Sequence, residues 1–177
     1  SNADVKGDFK GSWKPSPLAD SLGILDLQGN IQQGDASRVH RYLPLNISQS
    51  VRYYVRDSVL QGSLQGVGVK IKGDLKKLPF ANPKEGEFRL AGKVKEVQYA
   101  YVPPASPNTA NRNASTAGLW PIMNSVNADI VFDRLNFKVN GASGKWGNMP
   151  FTQIKAEIPS LKGPVIVNVQ GESKASA

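Results

Sequence analysis

Gly62-Ser63-Leu64-Gln65-Gly66-Val67-Gly68-Val69-Lys70-Ile71-Lys72-Gly73-Asp74-Leu75 is the stretch that decides the fold. Val67, Val69 and Ile71 point to one side, and Gly68, Lys70 and Lys72 to the other. Alternation of period two, with β-branched residues on one side, predicts a strand with one buried face. The same alternation returns downstream. Between Glu87 and Tyr101, the apolar residues Phe88, Leu90 and Val94 occupy even positions, while Val97, Tyr99 and Tyr101 occupy odd ones. The change of phase between Val94 and Val97 predicts a β-bulge or a bend, because one added residue exchanges the two faces. Val126, Ala128, Ile130 and Phe132 then alternate towards a tight turn at Asp133-Arg134, and Leu135, Phe137 and Val139 alternate back. That pattern predicts a hairpin over 126–140. Residues 141–147 read as another turn, and 151–158 and 164–170 as two more strands.

Upstream, residues 4–36 hold one strand candidate, with Trp13 in an extended arm ahead of Pro15 and Pro17. Residues 37–61 form a short helical insertion. Ser37 is expected to cap a turn over 38–43 that Pro44 ends, and Ser48 to cap a second helix. Val51, Tyr54, Val55, Ser58 and Val59 fall on one side of that helix, Gln49, Arg52 and Arg56 face outwards, and Gly62 stops it. Residues 102–118 are a polar, proline-containing loop whose composition supports no core. The count is about eight strands with no βαβ alternation. The expected fold is therefore mainly β and antiparallel, α+β at most, with a long curved sheet whose one face is apolar.

Length and composition agree with a single β-rich segment over 4–177. The chain has 177 residues, of which 40% are hydrophobic, and no apolar run long enough for a membrane-spanning helix. Ser1-Asn2-Ala3 reads as a tag remnant, and the abrupt start at Asp4 as an excised piece of a longer protein. The absence of cysteine excludes disulfides, thiolate catalysis and zinc sites of the cysteine type. The net charge of +8 favours nucleic acid, phospholipid headgroups or acidic polysaccharide as partners, and a basic domain with no charged partner accounts for it equally.

Catalytic chemistry is sparse. His40 is the only histidine, so any Ser-His-Asp triad or metal site would have to use it. It has no second ligand nearby in sequence and reads as structural. Asp74, Asp129, Asp133 and Glu157 could supply a glycosidase pair, but a turn and solvated strand faces account for them. Gly66 and Gly68 form a GxG, but Gly62 and Gly66 follow a helix instead of opening one, so the geometry of a phosphate cradle is absent. Lys70, Lys72, Lys76 and Lys77 suit an anionic headgroup, or guard an edge strand against aggregation. Tyr53, Tyr54, Tyr99 and Tyr101 suit base stacking, or packing within helix and strands. No cofactor, metal or nucleic-acid partner is expected.

One ordered set of short motifs is more specific. Arg41-Tyr42-Leu43-Pro44 precedes Val51-Arg52-Tyr53-Tyr54-Val55, Leu60-Gln61-Gly62-Ser63-Leu64 and Val69-Lys70-Ile71-Lys72-Gly73-Asp74-Leu75. Pro79-Phe80, Gly86-Glu87-Phe88, Tyr99-Ala100-Tyr101, Trp120-Pro121 and Asp129-Ile130-Val131-Phe132 follow. Their order and spacing resemble the central domain of the YhdP-type branch of AsmA-like proteins over residues 35–170.

The resemblance implies a large periplasmic protein of diderm bacteria, anchored in the inner membrane by an N-terminal helix outside this chain. It implies long bent sheets with an apolar groove that conducts phospholipid towards the outer membrane. Phospholipid acyl chains and other envelope proteins would be the partners. It supplies no catalytic residues, and the chain is expected not to be an enzyme. The expected groove wall comprises Val67, Val69, Ile71, Phe88, Leu90, Ile130, Phe132, Phe137 and Val139. The alternation does not separate such a wall from a surface packed beneath the helix at 48–60. Two rival readings are a periplasmic scaffold that binds protein or polysaccharide, and a glycan-acting enzyme.

Overall fold

A computed structural model describes residues 4–43, 49–103, 120–162 and 166–172. Eight strands form one open antiparallel sheet in which spatial order follows sequence order. They are β1 (Val5–Lys14), β2 (Ile24–Asp35), β3 (Val59–Asp74), β4 (Gly86–Tyr99), β5 (Met123–Asp133), β6 (Asn136–Trp146), β7 (Met149–Ile158) and β8 (Asn168–Glu172). The fold is mainly β, as the alternation predicts. The helical insertion is a 3₁₀ helix, Ala36–Arg41, followed by α1, Gln49–Ser58. The 3₁₀ helix is capped by Asp35, whose carboxylate accepts from the Ser37 amide, and not by Ser37 itself. Asp35 holds the cap because it closes β2 in extended geometry, one residue ahead of the helical turn. The expected roles of Pro44 and Ser48, and most of the 102–118 loop, lie outside the described residues.

Other expectations need correction as well. α1 ends at Ser58, so Val59 and Gly62 belong to β3 and Gly62 does not stop the helix, and the hairpin turn is Arg134-Leu135, with Asp133 paired to Asn136. Residues 4–36 hold two strands, not one. β1 carries glycine at Gly7 and Gly11 and exposed aromatics at Phe9 and Trp13, so its apolar signal is weak. It is nonetheless paired along its whole length with β2. The Phe9 ring packs against Gly29 of β2, where a Cβ would come within 2.3 Å of it. Residues 141–147 are not one turn. β6 runs through Gly141 to Trp146, and only Gly147 and Asn148 connect it to β7.

Gly141 belongs instead to a device repeated in β3 to β7. Five residues, Gly66, Glu96, Ser125, Gly141 and Gln153, have φ between +49° and +59°. Each sits where the pairing register shifts. Each is also the third residue of an apolar-x-x-apolar step: Leu64 to Val67, Val94 to Val97, Met123 to Val126, Val139 to Ala142 and Phe151 to Ile154. In a regular strand a step of three would carry the second apolar side chain to the opposite face. The left-handed residue absorbs it as a bulge, so the strand bends and its twist increases while the apolar face stays continuous. Asn127 ties two bulges together. Its side-chain amide donates to the Ser125 carbonyl at 2.8 Å and to the Glu96 carboxylate at 3.2 Å. The Asn127 amide, followed by Ser125, holds the Glu96 carboxyl below its usual range.

The β1–β2 connection is fastened to the end of β3. Asp74 accepts hydrogen bonds from the hydroxyls of Ser16 and Ser21 and from the Lys76 amide. These bonds, the Ser16 hydroxyl foremost, lower the Asp74 pKa from its usual value. A carboxyl whose pKa is depressed on folding contributes stability above its unfolded pKa, about 3.9. That contribution disappears as pH falls through the lower folded value. We therefore expect Asp74→Asn to flatten the acid limb of a melting-temperature profile below about pH 4. Parallel acid limbs for variant and parent would contradict this.

Candidate functional site: an apolar sheet face

Register places all nine predicted wall residues on one face. Val69 pairs with Leu90, Leu90 with Phe132, and Phe132 with Phe137. Ile71 pairs with Phe88, Ile130 with Val139, and Val67 shares its side with Val69. Phe88 and Phe132 meet edge to face at 5.3 Å, and Phe132 and Phe137 lie 6.1 Å apart. Leu25, Leu27 and Ile31 extend the face onto β2, and Phe151, Ile154, Ala156 and Ile158 extend it onto β7. Val169 opposes Ala156 and carries it to β8.

Burial divides the nine. Val67, Val69 and Phe88 are buried, whereas Ile71, Leu90, Ile130, Phe132, Phe137 and Val139 are half-buried. Val67 belongs to a cluster with Ala36, Leu64 and Val97, onto which Ile130 and Leu90 pack. The helical insertion covers part of the face, packing on β3. Tyr54 of α1 reaches the end of β4, where its hydroxyl lies 2.8 Å from that of Tyr99. Burial, then Tyr54, pushes the Tyr99 phenol well above its usual pKa. At the other end of the strands, Phe80 is fully buried, its ring against Gly73 and Gly86. Towards β7 and β8 the face opens, with Met149 and Val169 each 62% exposed.

The opposite face carries charge in cross-strand pairs. Lys72 meets Asp26 at 2.9 Å, Lys70 meets Glu87 at 2.8 Å, and Arg89 meets Asp133 at 3.0 Å. Lys93 meets Asp129 at 3.1 Å, and Lys138 meets Glu157 at 3.3 Å. Exposed pairs of this kind contribute about 0–1 kcal/mol each, so their main effect is to keep this face wet. Two shallow hollows, of about 630 and 430 Å³, open on this charged side, where Gly68, Ala91 and Val131 leave room between longer side chains.

The four predicted headgroup lysines lie away from the apolar face. Lys70 and Lys72 are in the charged pairs, Lys77 meets Glu85 at 3.0 Å, and Lys76 donates to the Ala19 carbonyl at 2.6 Å. The carboxylates considered for glycoside chemistry are engaged as well: Asp129, Asp133 and Glu157 with cations, Asp74 with serines. His40 contacts the Ser37 carbonyl through Nδ1 at 2.9 Å, within its own helical turn. Among the described residues no cluster of three or more metal-ligating side chains is present, and no helix is long and apolar enough to cross a membrane.

The predicted wall omits Ala142 and Trp146 of β6, read as part of a turn, and Phe151 and Ile154 of β7, read as strand but not as wall. The signal that finds them is the apolar-x-x-apolar step, read as a bulge and not as the end of a strand.

A family model described as YhdP protein matches residues 1–177. No curated protein and no solved structure matches the chain.

Proposed function

Because the chain belongs to the YhdP family, we propose that it is a non-enzymatic segment of a lipid conduit in the cell envelope, on the periplasmic side of the inner membrane. The acyl chains of phospholipid lie along its apolar face, and the charged face stays in water. The observation that carries this reading is the continuity of one apolar face from β2 to β8, kept in phase by five bulges. A fold that needed this face only as a core would cover it. Here the helical insertion packs on β3, and the face opens towards β8.

The magnitudes are consistent. Taking an acyl chain out of a bilayer costs about 0.8 kcal/mol per methylene, so ten methylenes cost roughly 8 kcal/mol unless other apolar contacts replace those lost. Neighbouring strands are about 4.8 Å apart, so the face from β2 to β8 offers a path of roughly 29 Å across the sheet. That exceeds the reach of one acyl chain in a bilayer, roughly 15 Å or half of the hydrocarbon core. Ile71, Leu90, Ile130, Phe132, Phe137 and Val139 are the contact surface, and Val67, Val69 and Phe88 are the floor beneath it.

The test is binding of a phospholipid with a fluorescent acyl chain. The reading expects saturable binding, displaced by unlabelled phospholipid and insensitive to salt. Binding that collapses with salt would favour the charged face as the working surface. That is a second reading, a scaffold for protein or polysaccharide, which the hollows beside Gly68 and Ala91 support.

A further inference from the structure

One rim of the sheet differs from the rest of the surface. Val59, Tyr99, Met123, Trp146 and Met149 form a single register row across the ends of β3 to β7. At the spacing of strands, that row is about 19 Å long. Trp120, Pro121 and Ile122 extend it. The Trp120 ring packs on Tyr101 at 5.8 Å, and Pro121 lies over the Gly147 turn. The outermost members are open to solvent: Trp120 48%, Ile122 39%, Trp146 37% and Met149 62%.

The stretches that form the rim are also free of acidic residues. Residues 97–128 and 134–156 contain no aspartate or glutamate. Lys145, exposed next to Trp146, pairs across strands with Asn124 and Pro150 and makes no ion pair among the described residues. On the charged face Lys70, Lys72, Lys93 and Lys138 meet carboxylates across strands, whereas Lys145, like Lys95 and Lys155, has no ion pair among the described residues. Tryptophan and tyrosine with a polar edge settle at the bilayer headgroup level, and a nearby lysine is drawn to anionic lipid.

We propose that this rim docks on the surface of a phospholipid bilayer containing anionic lipid. Trp120, Ile122, Trp146 and Met149 enter the interface, and Lys145 meets the headgroup phosphates. The proposal goes beyond lipid carriage by the sheet face, since the rim engages an intact bilayer and not a single extracted lipid.

Tryptophan emission tests it. The chain has three tryptophans, and Trp13 lies at the opposite end of the strands, in the row with Leu25 and Gly73. The probe is vesicles of phosphatidylcholine brominated on its acyl chains, mixed with phosphatidylglycerol. Parent and Trp13→Phe are expected to sediment with the vesicles, with blue-shifted and quenched emission. Lys145→Gln should weaken that partitioning about fivefold, and have no effect on vesicles of phosphatidylcholine alone. Trp120→Ala with Trp146→Ala should abolish sedimentation, while Val139→Asp, on the sheet face, leaves it intact. Unquenched emission from Trp13→Phe at saturating vesicle concentration would overturn the proposal, and needs no rim variant to fold. Undiminished vesicle binding by the double variant would overturn it as well, as would a requirement for the residue at 139.

Discussion

Replacing Phe80 by alanine is expected to lower the unfolding free energy by about 3–5 kcal/mol, the range for deleting a large buried aromatic. Phe80 is fully buried although it sits in a connection and not in a strand. Its ring rests on Gly73 and Gly86, where a Cβ on either glycine would come within 2.6 Å of it. Gly73 and Gly86 have no side chains to move into the space. The void would therefore persist instead of collapsing, which puts the loss towards the upper end of the range. Domains of this size are stable by only about 5–15 kcal/mol, so the change removes a large fraction of the total. Urea unfolding followed by circular dichroism measures it. A loss under about 1 kcal/mol would mean that Phe80 does not close the Gly73–Gly86 end of the face.

The second large effect concerns lipid and not folding. Val139→Asp places a carboxylate among Ile130, Ala156 and Phe137 on a half-buried part of the face. An aspartate in contact with acyl chains costs about 3 kcal/mol, so binding of the labelled phospholipid should fall roughly a hundredfold. The position is partly solvated, so the fold should survive with a smaller penalty. Lys138→Asp, one residue away on the charged face, should leave lipid binding unchanged even though it breaks the contact with Glu157. Equal losses from the two variants would show that general destabilisation, and not the face, controls binding.

The fold class was legible because β3 and β4 alternate strictly over most of their length. Val67, Val69 and Ile71, set against Phe88 and Leu90, specify both the strands and their shared face. The bulge between Val94 and Val97 was legible too, since both flanking runs were long enough to show opposite phases. The four companion bulges were not. At Leu64–Val67, Met123–Val126, Val139–Ala142 and Phe151–Ile154 one flank is short, or glycine removes the signal, so no change of phase is visible, and at Val139–Ala142 the pattern reads as an ending. β1 was hidden for a related reason: with Gly7 and Gly11 on its apolar side, the neighbouring strand supplies the packing that its own sequence does not announce. The nine wall residues were found on one face because period two is a local property. Their division into buried and half-buried members was not legible, because it depends on Ala36, Leu64 and Val97, brought together from three elements. The lysines at 70, 72 and 77 showed a basic cluster in sequence, but their carboxylate partners sit on adjacent strands or across a loop, where composition cannot see them.

Site-specific photo-crosslinking in cells tests the central claim most directly, with a photoreactive residue placed in turn at Ile71, Ile130 and Val139 on the apolar face and at Gln28, Lys93 and Lys138 on the charged face. The account predicts phospholipid adducts at the first three positions and none at the second three. Adducts confined to the charged face, or spread equally over both, would contradict it.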